Sequence, residues 1–447
     1  MKKTQKKAAI HNLGCKVNAY EMEKIAEKLI SCGFTIVPFE EEADYYIINT
    51  CTVTNIADRK SRQMLHRARK MNPEAVVIAA GCYVDTHGDG TLVDESIDIA
   101  VPNSEKENIP DIIRSWEKSH HIDETEDPES PEESDNYRSG RSDPHRSGEG
   151  IYTRRFLKVQ DGCNMFCSYC IIPYARGRIR SRTIDDVTAE VRDLTEKGYR
   201  EFVVTGIHLS SYGKDRPGDK EELLDLIKAV DSLEDVKRIR LGSLEPRIIT
   251  ESFVKELKKI GSLCPQFHLS LQSGSDPVLK RMNRHYTGEE YLESVQILRE
   301  HFDYPAITTD VIVGFPGESP EEFEETCEFL KRVKFYETHI FPYSRRKGTP
   351  ADRMDGQITR EEKHRRLKIL KELDRIHRRE YEERWIGKEA EVLFEENNEG
   401  YTREYIRVKK TGDPVSPGTI CRGTLGEKCH PERSEGSLEI LRATPSE

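Results

Sequence analysis

The sequence predicts an α/β protein in three parts: an N-terminal domain built on a parallel sheet, an open partial (βα)6 barrel, and a small C-terminal β-barrel. Three observations predict it. Short apolar runs alternate with amphipathic helical patterns along residues 8–118 and again along 156–342, the pattern of parallel strands covered by helices. Between them, residues 120–150 set ten acidic residues against three arginines among Ser and Pro, with almost no apolar content, the composition of a disordered linker. From Lys388 onward, short strand-like runs lie between Gly and polar turns.

In the first part, strands fit residues 8–13, 35–39, 45–49, 76–80 and 97–101, and helices fit 20–31, Asn55–Met71 and 107–118. After the linker, strands fit 156–160, 201–205, 237–241, 268–271, 308–313 and 339–342, each followed by a helical pattern. The clearest helix start is Glu318-Ser-Pro-Glu-Glu. There Ser319 caps, Pro320 takes the first helical position and Glu322 completes a capping box. Six successive βα units fall two short of a closed barrel. A charged helix over 360–384 then leads to short strands at 392–394 and 405–408, and the polar, patternless stretch after Lys428 is assigned no element. The domain boundaries that follow are 1–119, linker 120–150, 151–385 and 386–447.

No apolar run approaches membrane-spanning length, and the opening Met-Lys-Lys-Thr-Gln-Lys-Lys leads into no apolar segment of the kind a secretory signal needs. The expected setting is the cytoplasm, where cysteines serve metal binding or catalysis more often than disulfides. The net charge of −11 argues against a nucleic-acid partner only in bulk, because the linker carries −7 of it. Basic residues concentrate elsewhere: Arg59-Lys60, Arg62, Arg67 and Arg69-Lys70; then Arg176, Arg178, Arg180 and Arg182; then Arg345-Arg346-Lys347.

Of the eleven cysteines, six form two sets of three. Cys163, Cys167 and Cys170 have the spacing C-x3-C-x2-C just beyond the first barrel strand. Three close thiolates can hold three corners of a [4Fe–4S] cube and leave the fourth iron open to a small molecule. A zinc knuckle would want a fourth ligand, and no nearby Cys or His pair supplies one; a disulfide with a spare thiol and plain burial are the other readings. Cys15, Cys51 and Cys82 are far apart in sequence, yet each directly follows an apolar strand, as Leu13-Gly-Cys, Asn49-Thr-Cys and Ala80-Gly-Cys. Parallel strands end on one edge, so these thiols can converge on a second three-thiolate cluster; unrelated buried cysteines at strand ends are the alternative. Cys32, Cys264, Cys327, Cys421 and Cys429 read as bystanders.

The first spacing resembles that of radical S-adenosylmethionine (SAM) enzymes. The two trios, with Leu13-Gly-Cys-Lys-Val-Asn and Asn49-Thr-Cys-Thr-Val-Thr, resemble the methylthiotransferase family of those enzymes over residues 8–408. The resemblance implies an N-terminal cluster domain, a radical SAM barrel and a small RNA-binding β-domain called TRAM. It also implies two [4Fe–4S] clusters and SAM as cofactors. Asn49-Thr-Cys-Thr-Val-Thr-Asn, Asp58-Arg-Lys-Ser-Arg-Gln, Thr205-Gly-Ile-His and Phe341-Pro-Tyr-Ser most resemble the branch that modifies N6-threonylcarbamoyladenosine next to the tRNA anticodon. Sibling branches act on isopentenyladenosine in tRNA or on an aspartate of a ribosomal protein. The implied reaction replaces the C2 hydrogen of an adenine by a methylthio group. That carbon offers no acidic proton, so a SAM-derived radical made at Cys163, Cys167 and Cys170 starts the chemistry, and the second cluster holds the sulfur donor. A non-catalytic RNA-binding iron–sulfur protein is the reading from a different class; it has little use for open irons and six βα units.

Position and resemblance give further candidates. Tyr169 could lie against the SAM adenine or simply pack; Gly206 ends the second barrel strand near the SAM amino group. Relatives often carry Gly-Gly-Glu there, so Gly206-Ile-His departs from them, and His208 is expected to be structural. Glu245 and Arg247 resemble ribose- or carboxylate-facing positions. Gln272, Asp310 and Gly314 lie on the carboxyl-end side of barrel strands, where SAM or the base would bind, and Gly314 and Gly317 permit a tight turn. Arg59, Arg62, Arg176, Arg178, Arg345 and Arg407 are candidate RNA contacts, with a tRNA anticodon loop as partner beside a one-electron reductant and a sulfur donor. Arg59, Arg62, His66 and Lys70 share one helix face, which a solvated amphipathic face would also explain. The last region, with nine basic and twelve acidic residues from Lys388, needs a local patch to grip RNA.

Overall fold

The computed structural model describes residues 5–87, 94–120, 153–216, 222–428 and 438–445. The stretch expected as a linker lies outside them except for His120. The chain packs as two units, residues 1–150 with Tyr174–Arg176, and the remainder.

In the first unit β1 (Lys7–Asn12), α1 (Lys16–Ser31), β2 (Thr35–Val37), β3 (Tyr45–Thr50), α2 (Asn55–Met71), β4 (Val76–Gly81), α3 (Cys82–His87), β5 (Ile99–Val101) and α4 (Ile109–Ser119) follow one another. The five strands form one parallel sheet in the order β2-β1-β3-β4-β5. Helices cover both faces, which is why β3 and β4 are buried along their whole length. Met22, Ile25 and Leu29 of α1 and Ile109 and Ile113 of α4 fill one side; Leu65 and Ala68 of α2 fill the other. The strand order reverses between β1 and β3, and in such sheets ligands bind outside the carboxyl ends at that point. The predicted strands are all present. Helix α1 begins at Lys16, earlier than expected, because Cys15 already occupies its N-cap.

The second unit starts with β6 (Arg154–Asp161), α5 (Ile172–Arg176, whose last three residues belong with the first unit), β7 (Arg180–Ser181), α6 (Ile184–Glu196), β8 (Glu201–Gly206), α7 (Glu222–Asp231) and β9 (Arg238–Leu241). It continues with α8 (Glu251–Lys258), β10 (Gln266–His268), α9 (Asp276–Arg281), α10 (Gly288–His301), β11 (Ala306–Val313), α11 (Pro320–Val333), β12 (Glu337–Pro342) and α12 (Arg360–Glu383). Strands β6, β8 and β9 pair in parallel, as do β10, β11 and β12, and the isolated parallel bridges Ile239–Leu263 and Leu244–Leu269 join the two groups. The six expected βα units are therefore all there. The sequence reading missed β7, two residues antiparallel to β6, and set the fourth strand too late: Leu269 and Gln272 join the sheet only through single bridges. Alternate strand residues such as Leu157, Val204, Ile239, Phe267 and Val311 pack against the helices, so the residues between them face the barrel interior.

Five strands, β13 (Glu389–Phe394), β14 (Glu399–Thr402), β15 (Arg407–Lys410), β16 (Ile420–Lys428) and β17 (Leu438–Pro445), close the C-terminal barrel in the order β13-β14-β15-β17-β16. Strand β17 lies in the stretch after Lys428, where the sequence pattern assigns no element. Leu438 and Ile440 are buried and complete the core with Val392, Phe394 and Val408, an apolar alternation too short to stand out beside polar neighbours. The module is locked onto the amino-terminal ends of the strands of the (βα)6 barrel. Arg238 donates to the Tyr401 and Glu391 carbonyls, and Arg240 to those of Thr402 and Arg403. Glu201, fully buried between the two arginines, balances them.

Candidate metal centres

In the first unit, Cys15, Cys51 and Cys82 follow β1, β3 and β4, three neighbouring strands with a common carboxyl edge. Local side chains hold each turn. Asn18 Nδ2 donates to the Leu13 carbonyl at 2.7 Å and to that of Thr50 at 3.3 Å, tying the segments before Cys15 and Cys51 together. Asn49 Nδ2 donates to the Asn18 carbonyl at 3.0 Å. Ser61 of α2 brackets Cys51, its Oγ accepting from the Cys51 N–H and donating to the Cys51 carbonyl. Gly14, at φ +112°, makes the close approach possible: a Cβ there would lie 3.0 Å from Cys51 Cβ and 3.2 Å from its Sγ. Asn103 Nδ2 is 3.5 Å from Cys82 Sγ.

Burial, reinforced by the charges on Cys82 and Cys15, pushes the Cys51 thiol up to about 11. Close beside this set, Lys106 and Arg176 are buried on Glu21, each with a 2.8 Å ion pair. Burial lowers the Lys106 pKa, and Glu21 and Cys82 oppose that fall. Three thiols at one sheet edge, with buried cations alongside, fit a [4Fe–4S] cube held at three corners. Arg176 was expected at the RNA surface; its side chain is fully buried against Glu21 and Asn18, which removes it from that role.

In the second unit, Cys163, Cys167 and Cys170 lie on the loop after β6. The Cys163 N–H donates to the Gly177 carbonyl and the Cys170 N–H to that of Cys167. Ser168 is clamped through its N–H to the Met282 carbonyl, its Oγ to the Arg281 carbonyl and its own carbonyl to the Ala351 N–H. Burial and the neighbouring thiols raise Cys163, and push Cys170 up to about 12. Arg284 Nη1 donates to Cys167 Sγ at 3.3 Å, so a guanidinium offsets the charge of this set. The donors and the cation beside them fit the same kind of cluster.

Around this loop, Gly206 abuts the Gln160 side chain, whose Oε1 accepts from the His208 N–H at 2.8 Å. Burial holds the His208 imidazole neutral and pulls its pKa down to about 4 despite nearby Glu245. Its Nδ1 lies 2.5 Å from Ser211 Oγ, and Arg247 pairs with Glu245 at 2.9 Å. Gln272 adopts φ +74° while bonded through its backbone to Asp310 and Ile312 of β11. The Gly314 N–H donates to Glu318. Tyr169 packs against the cluster of Val278, Met282, Phe315 and Tyr343. Arg59 and Arg62 are exposed on α2, as is Arg178, whose guanidinium stacks on the Phe166 ring at 4.7 Å. Arg345 and Arg407 are ion-paired to Asp352 and Glu399. Arg284, Lys106, Glu21 and Asn103 were missed, since each meets its cysteine or partner only through tertiary folding.

Residues 157–330 match the family model described as Radical SAM superfamily, and residues 7–101 match Uncharacterized protein family UPF0004. The chain is 40% identical to the threonylcarbamoyladenosine tRNA methylthiotransferase MtaB of Aquifex aeolicus (strain VF5), covering 91% of this chain and 97% of that one. It is 38% identical to MtaB of Bacillus subtilis (strain 168), covering 93% and 92%. Against the tRNA-2-methylthio-N(6)-dimethylallyladenosine synthase of Clostridium botulinum (strain Langeland) the identity is 32%, covering 91% and 90%. Among solved structures, the radical SAM methyltransferase TsrM of Kitasatospora setae, with cobalamin and a [4Fe-4S] cluster bound, matches in fold at TM-score 0.55 and 16% identity, covering 78% and 74%.

Proposed function

The chain belongs to the radical SAM family of tRNA methylthiotransferases, and within it we propose that it converts N6-threonylcarbamoyladenosine next to the anticodon into its 2-methylthio derivative. The observation that carries the substrate is the identity of 40% to a relative named for that nucleoside, against 32% to one named for dimethylallyladenosine. Cys163, Cys167 and Cys170 would hold a [4Fe–4S] cluster that, with SAM bound, would supply the electron for reductive cleavage of the sulfonium.

The residues of this chain have the following parts. Cys163, Cys167 and Cys170 hold the SAM-cleaving cluster, and Arg284 offsets the charge of Cys167. Gly206, Glu245, Gln272 and Gly314, at the carboxyl ends of barrel strands, line the SAM site, with Tyr169 behind it. Cys15, Cys51 and Cys82 hold a second cluster that carries the sulfur donor, and buried Lys106 and Arg176 favour the anionic form of that set. Arg59 and Arg62 meet RNA phosphates beside one set, and Arg178 beside the other, with the tRNA loop single-stranded so that the base can be splayed out. Arg345 and Arg407 can join only by exchanging a carboxylate partner for a phosphate. The reaction needs a cellular one-electron reductant and a sulfur source, and its place is the cytoplasm.

Nucleosides of tRNA from a deletion strain, read by mass spectrometry, test this. The 2-methylthio-threonylcarbamoyl nucleoside should vanish and return with the wild-type gene. Its persistence, or loss of the dimethylallyl counterpart instead, refutes the substrate. Cys51→Ala should end methylthiolation but keep some 5′-deoxyadenosine formation, whereas Cys167→Ala should end both.

A further inference from the structure

We propose that His268, Asp310 and His339 form a binding site for one divalent transition-metal cation inside the (βα)6 barrel, using none of the six cysteines of the two sets. The three residues come from the adjacent strands β10, β11 and β12, and Asp310 stands directly opposite His339 in the ladder. Their neighbours Phe267, Val311 and Ile340 pack on the helix side, so these three face the interior. One ligand atom from each lies within 4.8 Å of the others.

His268 Nε2 and Asp310 Oδ2 are 3.3 Å apart. Metal bonds of about 2.0–2.1 Å give a tetrahedron with an edge of about 3.3 Å, so this separation already matches two ligands on one ion. His268 Nε2 is buried and makes no hydrogen bond, although Asp310 is near. The other ring nitrogen, Nδ1, lies 3.0 Å from Thr308 Oγ1. That contact fixes the ring and leaves Nε2 directed inward, the outer support that metal-bound imidazoles have. The His339 ring lies over that of His268, with centroids 5.8 Å apart and planes at 23°. A plain ion pair would account for His268 and Asp310 but gives His339 no part.

Two imidazoles and a carboxylate suit Zn2+, Fe2+ or Mn2+, and three protein ligands leave open positions toward the interior. An anionic oxygen donor would complete the shell. The threonyl carboxylate of the modified base is such a donor; that ligand rests on the function proposed above, whereas the cation does not.

Mn2+ is the probe, because it prefers oxygen and imidazole to thiolate and the free ion is counted by electron paramagnetic resonance. Cluster-loaded, full-length protein should take up one Mn2+ per chain. His339→Ala should weaken that uptake at least about tenfold, the equivalent of ~1.4 kcal/mol. His339→Asp, which keeps an oxygen ligand, should restore it. Circular dichroism and the visible absorption of the clusters establish that the variants are folded and loaded; His339 is exposed, so both should be. No Mn2+ uptake by the wild type overturns the site, and equal uptake by His339→Ala overturns the assignment to these residues. Free threonylcarbamoyladenosine should alter the bound-Mn2+ spectrum and adenosine should not; no difference overturns the carboxylate ligand alone. These measurements use no tRNA, so a wrong substrate for the enzyme cannot imitate a missing cation site.

Discussion

A methyl group on Gly162 would lie 1.9 Å from the Arg178 carbonyl oxygen, with the backbone at φ +68°. No side chain can occupy that space, so Gly162→Ala must move the segment from which Cys163 leaves the sheet. Left-handed backbone at a non-glycine residue costs of order 1–3 kcal/mol before the clash is counted. The expected outcome is loss of the cluster's visible absorption and of SAM cleavage with little change in circular dichroism; a normally loaded variant contradicts it. At this scale the cysteines were legible because their signals are local, one a tight spacing and the other a repeated strand-end context. Arg284 was not, since 117 positions separate it from Cys167, nor was the Lys106 pairing with Glu21, 85 positions away. Arg176 was misread because four alternating arginines suggested a surface strip, whereas the one-turn helix α5 buries the first of them.

Among the elements, α11 was the most legible, and its capping box is complete, with Ser319 and Glu322 each bonded to the other's backbone N–H. Strand β7 was not legible, because two residues cannot show a period. Helix α12 has a titratable weak point. Asp374 accepts from the Thr338 N–H at 2.6 Å, and burial, helped by Glu337 and opposed by Arg378, pushes its pKa up to about 6. Its folded-state value is above the ordinary carboxylate range, so the folded chain binds this proton more tightly than the unfolded one. The resulting stability is full below about pH 4 and lost as pH rises through about 6. Asp374→Asn keeps the acceptor and drops the charge. It should raise stability by about 1–2 kcal/mol at pH 8, shrinking to nothing by about pH 4. Denaturant midpoints across that range check it, and a constant gap argues against it.

For the whole molecule, the order of parts was legible because composition and periodicity change at each boundary. The means by which the last part is attached was not. Arg238 and Arg240 are strand residues whose sequence neighbours do not disclose that both will be fully buried. Burial alone would raise the Glu201 carboxyl, but Arg240, Arg154 and Arg238 outweigh it and hold the pKa at about 2. Glu201 thus adds stability above the ordinary glutamate range, and that stability fades only as pH falls through about 2. Glu201→Gln strands buried guanidinium charge and should cost about 3–5 kcal/mol, read as a lower denaturant midpoint. An unchanged midpoint would show that the carbonyl contacts suffice.

The lock between the two barrels also imposes an order on synthesis. Arg238 waits for a carbonyl 163 residues further along the chain, and the barrel presenting it closes only when β17 arrives. Domains generally fold as they emerge from the ribosome, N-terminal parts first. The (βα)6 barrel must therefore pass through translation with two arginines that have Glu201 but still lack their carbonyl partners. A chain ending just before Leu438 would carry the four carbonyls that meet Arg238 and Arg240 but lack the strand that closes the barrel presenting them, while all six cluster cysteines are already in place.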